Sequence, residues 1–145
     1  MDLGGSRCSI ARALSVVGDR WTLLLLREAF LGARRFEDFH RNTGAARHIV
    51  AERLQHLVAH GVLERRRYQT RPERHEYVLT AKGQALYPVM LSLLTWGDDW
   101  MLDQEESPSL TVVHESCGAT GTPELRCSAC GEPIAAGDTH HVITT

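Results

Sequence analysis

AARHIVAERLQHLVAHGVLERRRYQTRPERHEYVLT, residues 45 to 80, holds the two patterns on which the fold turns. Its first half has the period of a helix. Val50, Leu54, Leu57 and Val58 stand at i, i+4, i+7 and i+8, which puts them on one stripe. At 100° per residue, His48, Ala51, Glu52 and Gln55 point the other way. Arg47 lies at the edge of that outer face, near the helix start. The spacing predicts a helix over 45–60, stopped by Gly61. The second half reads as a β-hairpin. One strand runs from Val62 to Tyr68 and the other from His75 to Thr80, with Arg71, Pro72 and Arg74 in the joining loop. Strand side chains alternate, so at most two of Arg65, Arg66 and Arg67 share a face, and one is expected to pair with an acid.

Upstream, Cys8 to Val17 reads as a short helix ended by Gly18. Asp19 is a suitable N-cap for a second helix from Trp21 to Phe30, apolar on more than one face and so a central core helix. Gly32 stops it. Phe36 and Phe39 lie three apart in a short amphipathic helix over 35–42, followed by a turn at Thr43-Gly44. Downstream, Thr80 can cap a long helix to Leu102, kinked at Pro88. Leu86, Val89, Met90, Leu93, Leu94, Trp96 and Trp100 make much of it apolar. That is more than a chain of 145 residues can easily bury on itself, and a second subunit is the expected cover.

Hydrophobic residues make up 43% of the chain and charged ones 23%, as in ordinary globular proteins. The longest aliphatic run, Leu23 to Leu26, is far too short to span a bilayer. The opening MDLGGSRCSI has no basic stretch followed by a long apolar one, so no signal peptide is expected and the cytoplasm is the expected compartment. The net charge of −2 hides an asymmetry: residues 27 to 82 carry 12 Lys/Arg against 7 Asp/Glu, and residues 83 to 145 carry 1 against 9. A basic middle fits a polyanion-binding surface, though a solvated charged face gives the same count. No nucleophile–base pair with supporting context and no phosphate loop is visible, which argues against an enzyme.

Short helix, tight turn, amphipathic helix and arginine-rich hairpin follow in the order of a winged helix-turn-helix. A helix carried on a two-helix frame fits the major groove, and a hairpin wing can reach the adjoining backbone. Along that order stand Cys8; Val17-Gly18-Asp19-Arg20-Trp21-Thr22-Leu23-Leu24; Arg35-Phe36-Glu37-Asp38-Phe39; Leu54-Gln55-His56-Leu57 with Gly61-Val62-Leu63; Glu76-Tyr77-Val78-Leu79-Thr80 with Gly83; and Pro88-Val89 with Trp96-Gly97. In these motifs the chain resembles, over residues 8 to 102, the HxlR-type winged-helix transcriptional regulators. The resemblance implies a fold that is mainly α with a small β-hairpin wing (α+β). It implies a homodimer built from the first and last helices, bound to double-stranded DNA at a pseudo-palindromic operator, usually as a repressor. Arg35 would touch phosphate. Arg47, His48, Ala51, Glu52 and Gln55 would face the major groove, and Arg71 and Arg74 would sit on the wing. Two departures stand out. Ala46-Arg47-His48 replaces a Ser-Gln-Lys-like run, so Ala46 brings no hydroxyl cap, and Ala51 stands where Thr is common.

The organisation expected is a DNA-binding and dimerisation domain over 1–104, a linker over 105–113 and a C-terminal module over 114–145. That module has the spacing His114-x2-Cys117-x9-Cys127-x2-Cys130. Two close pairs on a short loop can place four N/S ligands tetrahedrally, with Gly118 and Gly131 turning the chain after each pair. A set with no open position is a structural zinc site, resembling a zinc ribbon. His140 or His141 is an alternative fourth ligand, and a redox pair Cys127/Cys130 or a plain disulfide is a competing reading; the alternative function is a thiol- or metal-responsive redox sensor whose cysteines switch DNA binding. Cys8, beside Arg7 and Arg12 at a helix start, is either an inert small hydrophobe or a sensing thiol, as in some HxlR-type relatives.

Overall fold

A computed structural model of the chain describes Gly5 and residues 7 to 142. The outer ends of the expected 1–104 and 114–145 segments (residues 1–4, 6 and 143–145) lie outside the described residues. The chain divides into two compact units, one running to Met90 and one beginning at Leu91.

The first unit holds helices α1 (Ser9–Val17), α2 (Arg20–Phe30), α3 (Phe36–Thr43) and α4 (Arg47–Ala59), then strands β1 (Leu63–Thr70) and β2 (Glu73–Leu79) and the short α5 (Ala81–Gln84). Asp19 caps α2 as expected, its carboxylate accepting from the N–H groups of Trp21 and Thr22. Gly44 ends α3 in the left-handed conformation that a Cβ would strain. The stripe of α4 is buried at Val50, Leu54 and Leu57, while Val58 is only half-buried. These join Val17, Leu25, Leu26, Phe39, Ala45, Val62 and Leu63 in one core. Glu28 is buried in α2. Its carboxylate accepts from Arg27 and, at 2.9 Å, from Asn42 of α3, so the charge is paired and hydrogen-bonded.

Two expectations change. β1 and β2 join across Arg71 and Pro72 alone, with a cis peptide bond between them, and Arg74 lies within β2 opposite Gln69 rather than in a loop. The strands therefore outrun the expected hairpin, and a bulge between Arg67 and Gln69 shifts the register. The long helix from Thr80 is also not one kinked rod. It breaks into α5 and α6 (Tyr87–Met101), with Pro88 in the first turn of α6, where its missing N–H costs no helical hydrogen bond. Thr80 still caps, accepting from the Gly83 N–H and donating to the Val62 carbonyl.

The second unit contains α6 from Leu91 and the segment through residue 142. None of the residues 103 to 142 is buried. Among the described residues no helix is long and apolar enough to cross a membrane.

Candidate nucleic-acid interface

The helix-turn-helix is α3 and α4, and every residue expected to face outward from α4 does so. Arg47, His48, Ala51, Glu52 and Gln55 are all exposed, while Val50, Leu54 and Leu57 turn inward. Ala46 occupies the N-cap of α4 without a side-chain cap, as its missing hydroxyl requires. Phe39, at the centre of α3, is fully buried and meets Tyr77 of β2 edge-on at 6.2 Å. The Tyr77 N–H donates to the Arg34 carbonyl at 2.6 Å. These two contacts moor the wing to the start of α3.

Arg35 occupies the N-cap position of α3, exposed, with its guanidinium 4.6 Å from the ring centroid of Tyr68 on β1. It is thus held between helix-turn-helix and wing. Arg47 is more constrained than its outer position suggested. Its two terminal nitrogens donate to the two carboxylate oxygens of Glu37 at 3.1 and 2.6 Å, and its guanidinium stands 5.0 Å from the ring of Phe36. The hydrogen bond from Arg47 holds the Glu37 carboxyl below its ordinary range, and Glu37 in turn raises Arg47. Glu37 escaped the sequence reading because the pair spans ten residues and a turn; only the Glu in the first turn of a helix ahead of an outward Arg hinted at it. Glu52 pairs with its neighbour Arg53.

On the wing, Arg66 pairs with Glu64 on its own strand face, the acid partner expected for one of the three arginines, and lowers the Glu64 carboxyl. Arg65 and Arg67 share the opposite face, where Arg65 lies 3.2 Å from Nδ1 of His75. Arg71 at the tip and Arg74 on β2 are exposed, with no ion-pair partner among the described residues. Cys8 is exposed at the N-cap position of α1.

The expected metal ligands fall into two pairs. His114 Nδ1 lies 3.5 Å from the Cys117 sulfur, and Cys127 and Cys130 are within hydrogen-bond reach of each other. Among the described residues no group of three His, Cys, Asp or Glu side chains converges on one point, so the pairs are formed but not brought together as a quartet. Backbone N–H groups of Cys130 and then Ala129, with the Cys130 side chain, hold the Cys127 thiol below its ordinary range.

Comparison with known proteins gives this arrangement its relatives. An HTH-type transcriptional regulator of Mycobacterium tuberculosis, itself uncharacterized, is 46% identical over 128 residues, 88% of this chain and 80% of the relative. Another from Synechocystis is 35% identical over 102 residues, 70% of this chain and 75% of that one. Among solved structures, that of PA1607, described as a candidate transcription factor, superposes with a TM-score of 0.88 at 35% identity, covering 98% of this chain and 99% of that one. The redox regulator HypR in its reduced form gives 0.59 at 29% identity over 63% of this chain and 92% of its own. The model of the HxlR-like helix-turn-helix family matches residues 16–105, from the end of α1 through α6. The chain belongs to the HxlR-like helix-turn-helix family of transcriptional regulators.

Proposed function

We propose that the chain is a homodimeric, sequence-specific DNA-binding repressor of the cytoplasm that acts by binding rather than catalysis. The observation that supports it most is the outer face of α4, where five polar or small residues from Arg47 to Gln55 stand exposed beside an arginine-rich wing. In this reading α4 enters the major groove, and Arg47, His48, Ala51, Glu52 and Gln55 meet base edges. Arg35, Arg71 and Arg74 meet phosphates and set register. Dimerisation is supported by apolar surface without cover. α1 leaves Ile10 72% exposed and Leu14 49%, and α6 leaves Val89, Leu93, Trp96 and Trp100 exposed. Two recognition helices related by a two-fold axis read half-sites about 34–36 Å apart, hence a pseudo-palindromic operator. Selection of bound fragments from a genomic library, followed by anisotropy titration of the best sequence against a random duplex at fixed salt, tests this. A ratio near one between the two duplexes would sink the reading.

A second reading makes thiols the switch. The similarity to HypR, a redox regulator solved in both reduced and oxidized forms, and the exposed Cys8 at the start of α1 favour it. DNA binding is then lost on diamide treatment and kept in Cys8→Ser. Binding that ignores oxidation refutes it. The C-terminal extension is, in our reading, zinc-ribbon-like, with zinc a structural cofactor held by His114, Cys117, Cys127 and Cys130.

A further inference from the structure

We infer that residues 113–133 are one metal-binding turn used twice, each copy a preformed half-site, and that the halves close within a single chain on one zinc-class cation through Nδ1 of His114 and the sulfurs of Cys117, Cys127 and Cys130. This rests on the zinc reading just given and adds how the site is built.

The repeat is in the backbone. In the first copy, Val113 bridges Thr120, the His114 N–H donates to the Ala119 carbonyl at 3.0 Å, and the His114 carbonyl accepts from the Gly118 N–H at 2.7 Å. In the second, Arg126 bridges Pro133, the Cys127 N–H donates to the Glu132 carbonyl at 2.9 Å, and the Cys127 carbonyl accepts from the Gly131 N–H at 2.8 Å. Each step of one copy falls at the same offset in the other. VHESCGAT and RCSACGEP align without a gap, ligand on ligand and glycine on glycine.

The glycines show what the turn is for. Gly118 has φ +67° and Gly131 +79°, and a Cβ added at either would meet nothing within 4 Å. Crowding therefore does not select glycine there; the left-handed backbone does. That conformation reverses the chain directly after the second ligand and leaves the first and fourth side chains of the turn on one side. The result is 3.5 Å between His114 Nδ1 and the Cys117 sulfur. Tetrahedral zinc with ordinary Zn–N and Zn–S bonds wants about 3.6 Å between such ligands.

Beyond these backbone bonds and one from Arg126 to the Gly131 carbonyl at 2.9 Å, the segment has no buried core to hold the two turns. None of its described residues is buried, Val113 and Leu125 are exposed, and its cysteines form no disulfide. A segment of this size without a core is the kind a structural metal folds. Three sulfurs and one imidazole favour zinc over magnesium or calcium, and four protein ligands leave no position for substrate.

The test uses the full-length chain, purified reduced and without chelator. Metal content and native mass give the stoichiometry; cobalt(II) loaded in place of zinc gives thiolate-to-metal absorption whose intensity counts sulfurs. We expect one ion per chain, three thiolates, and a tetrahedral visible spectrum. His114→Ala lowers occupancy severalfold, His114→Cys keeps the ion with a fourth thiolate band, and His140→Ala and His141→Ala change neither. A reduced chain that takes up neither zinc nor cobalt overturns the zinc reading and this inference together. An ion that survives His114→Ala but is lost with His140→Ala or His141→Ala keeps zinc and overturns the paired-turn assignment. One ion per two chains overturns closure within a single chain.

Discussion

Replacing Glu37 with Gln should make this protein bind DNA more readily and choose less well. In the free protein both terminal nitrogens of Arg47 are taken by Glu37, at 3.1 and 2.6 Å. Those are the donors that would meet a guanine edge or a phosphate. DNA must therefore displace a carboxylate to engage Arg47. The pair is exposed, and exposed pairs are weak enough to exchange. The larger consequence is charge: the start of α4 offers DNA a neutral pair, and Glu37→Gln turns it into a free cation. One more neutralised phosphate steepens the dependence of log K on log salt by about 0.9, so a tenfold drop in salt gains the variant roughly eightfold over wild type on random duplex. On the proposed operator the gain should be smaller, because there Arg47 would already have left Glu37 for a base. Arg47→Ala should cost the operator roughly 5- to 150-fold, the range of one bidentate base contact, with little change on random duplex. Anisotropy titrations of wild type, both single variants and the double variant on operator and random duplex, at several salt concentrations, complete the cycle. Glu37 has its folded pKa depressed below the ordinary 4.5, so the pair is intact above that value and opens only as pH falls through the lowered one; assays between about pH 6 and 8 do not titrate it. If Glu37→Gln strengthens DNA binding equally with Arg47 absent, Glu37 acts on DNA directly and the reasoning is refuted.

Three further outcomes are expected. Gly83→Ala puts a Cβ 2.2 Å from the Val62 carbonyl oxygen at the base of the wing, and should destabilise the fold by about 3 kcal/mol in thermal or urea unfolding; a change within error would mean the wing base yields. Trp100→Glu, at a side chain 73% exposed, should leave the helical circular dichroism intact while turning the dimer into monomer in sedimentation; an unchanged mass takes Trp100 out of the interface. Arg71→Ala and Arg74→Ala should each weaken operator and random duplex alike and flatten the salt slope by about 0.9, and an unaltered slope removes that residue from the phosphate contacts.

The helical frame was legible because its signals are local. Asp19 caps, Gly44 and Gly61 take positive φ, and Val50, Leu54 and Leu57 share a stripe; each depends on a few neighbouring residues and on dihedral preferences that travel with the chain. The outward set from Arg47 to Gln55 came with that stripe, since a helix that buries one face must present the other. The hairpin was legible as a pattern, but its turn was not. The two-residue connection at Arg71-Pro72 and the bulge after Arg67 place Arg74 on a strand. Pro88 marked a disturbance, but the break falls ahead of it, at residues 85–86 between α5 and α6, and Pro88 itself lies in the first turn of the new helix.

A partner on the same strand, as for Arg66 and Glu64, was within reach of the pattern; partners on other elements were not. No local pattern in residues 27 to 82 fixes that Arg47 is held by Glu37, that Arg35 stacks on Tyr68, or that Glu28 is buried against Asn42. Periodicity tells a residue which way to face, because φ and ψ repeat along one element. It cannot tell the residue whom it meets, because that distance depends on how separate elements pack, and packing is a property of the whole core. So the chain's own pattern determined a winged helix-turn-helix with an outward α4, and the packing of α3, α4 and the wing decided which of its arginines are already engaged before DNA arrives.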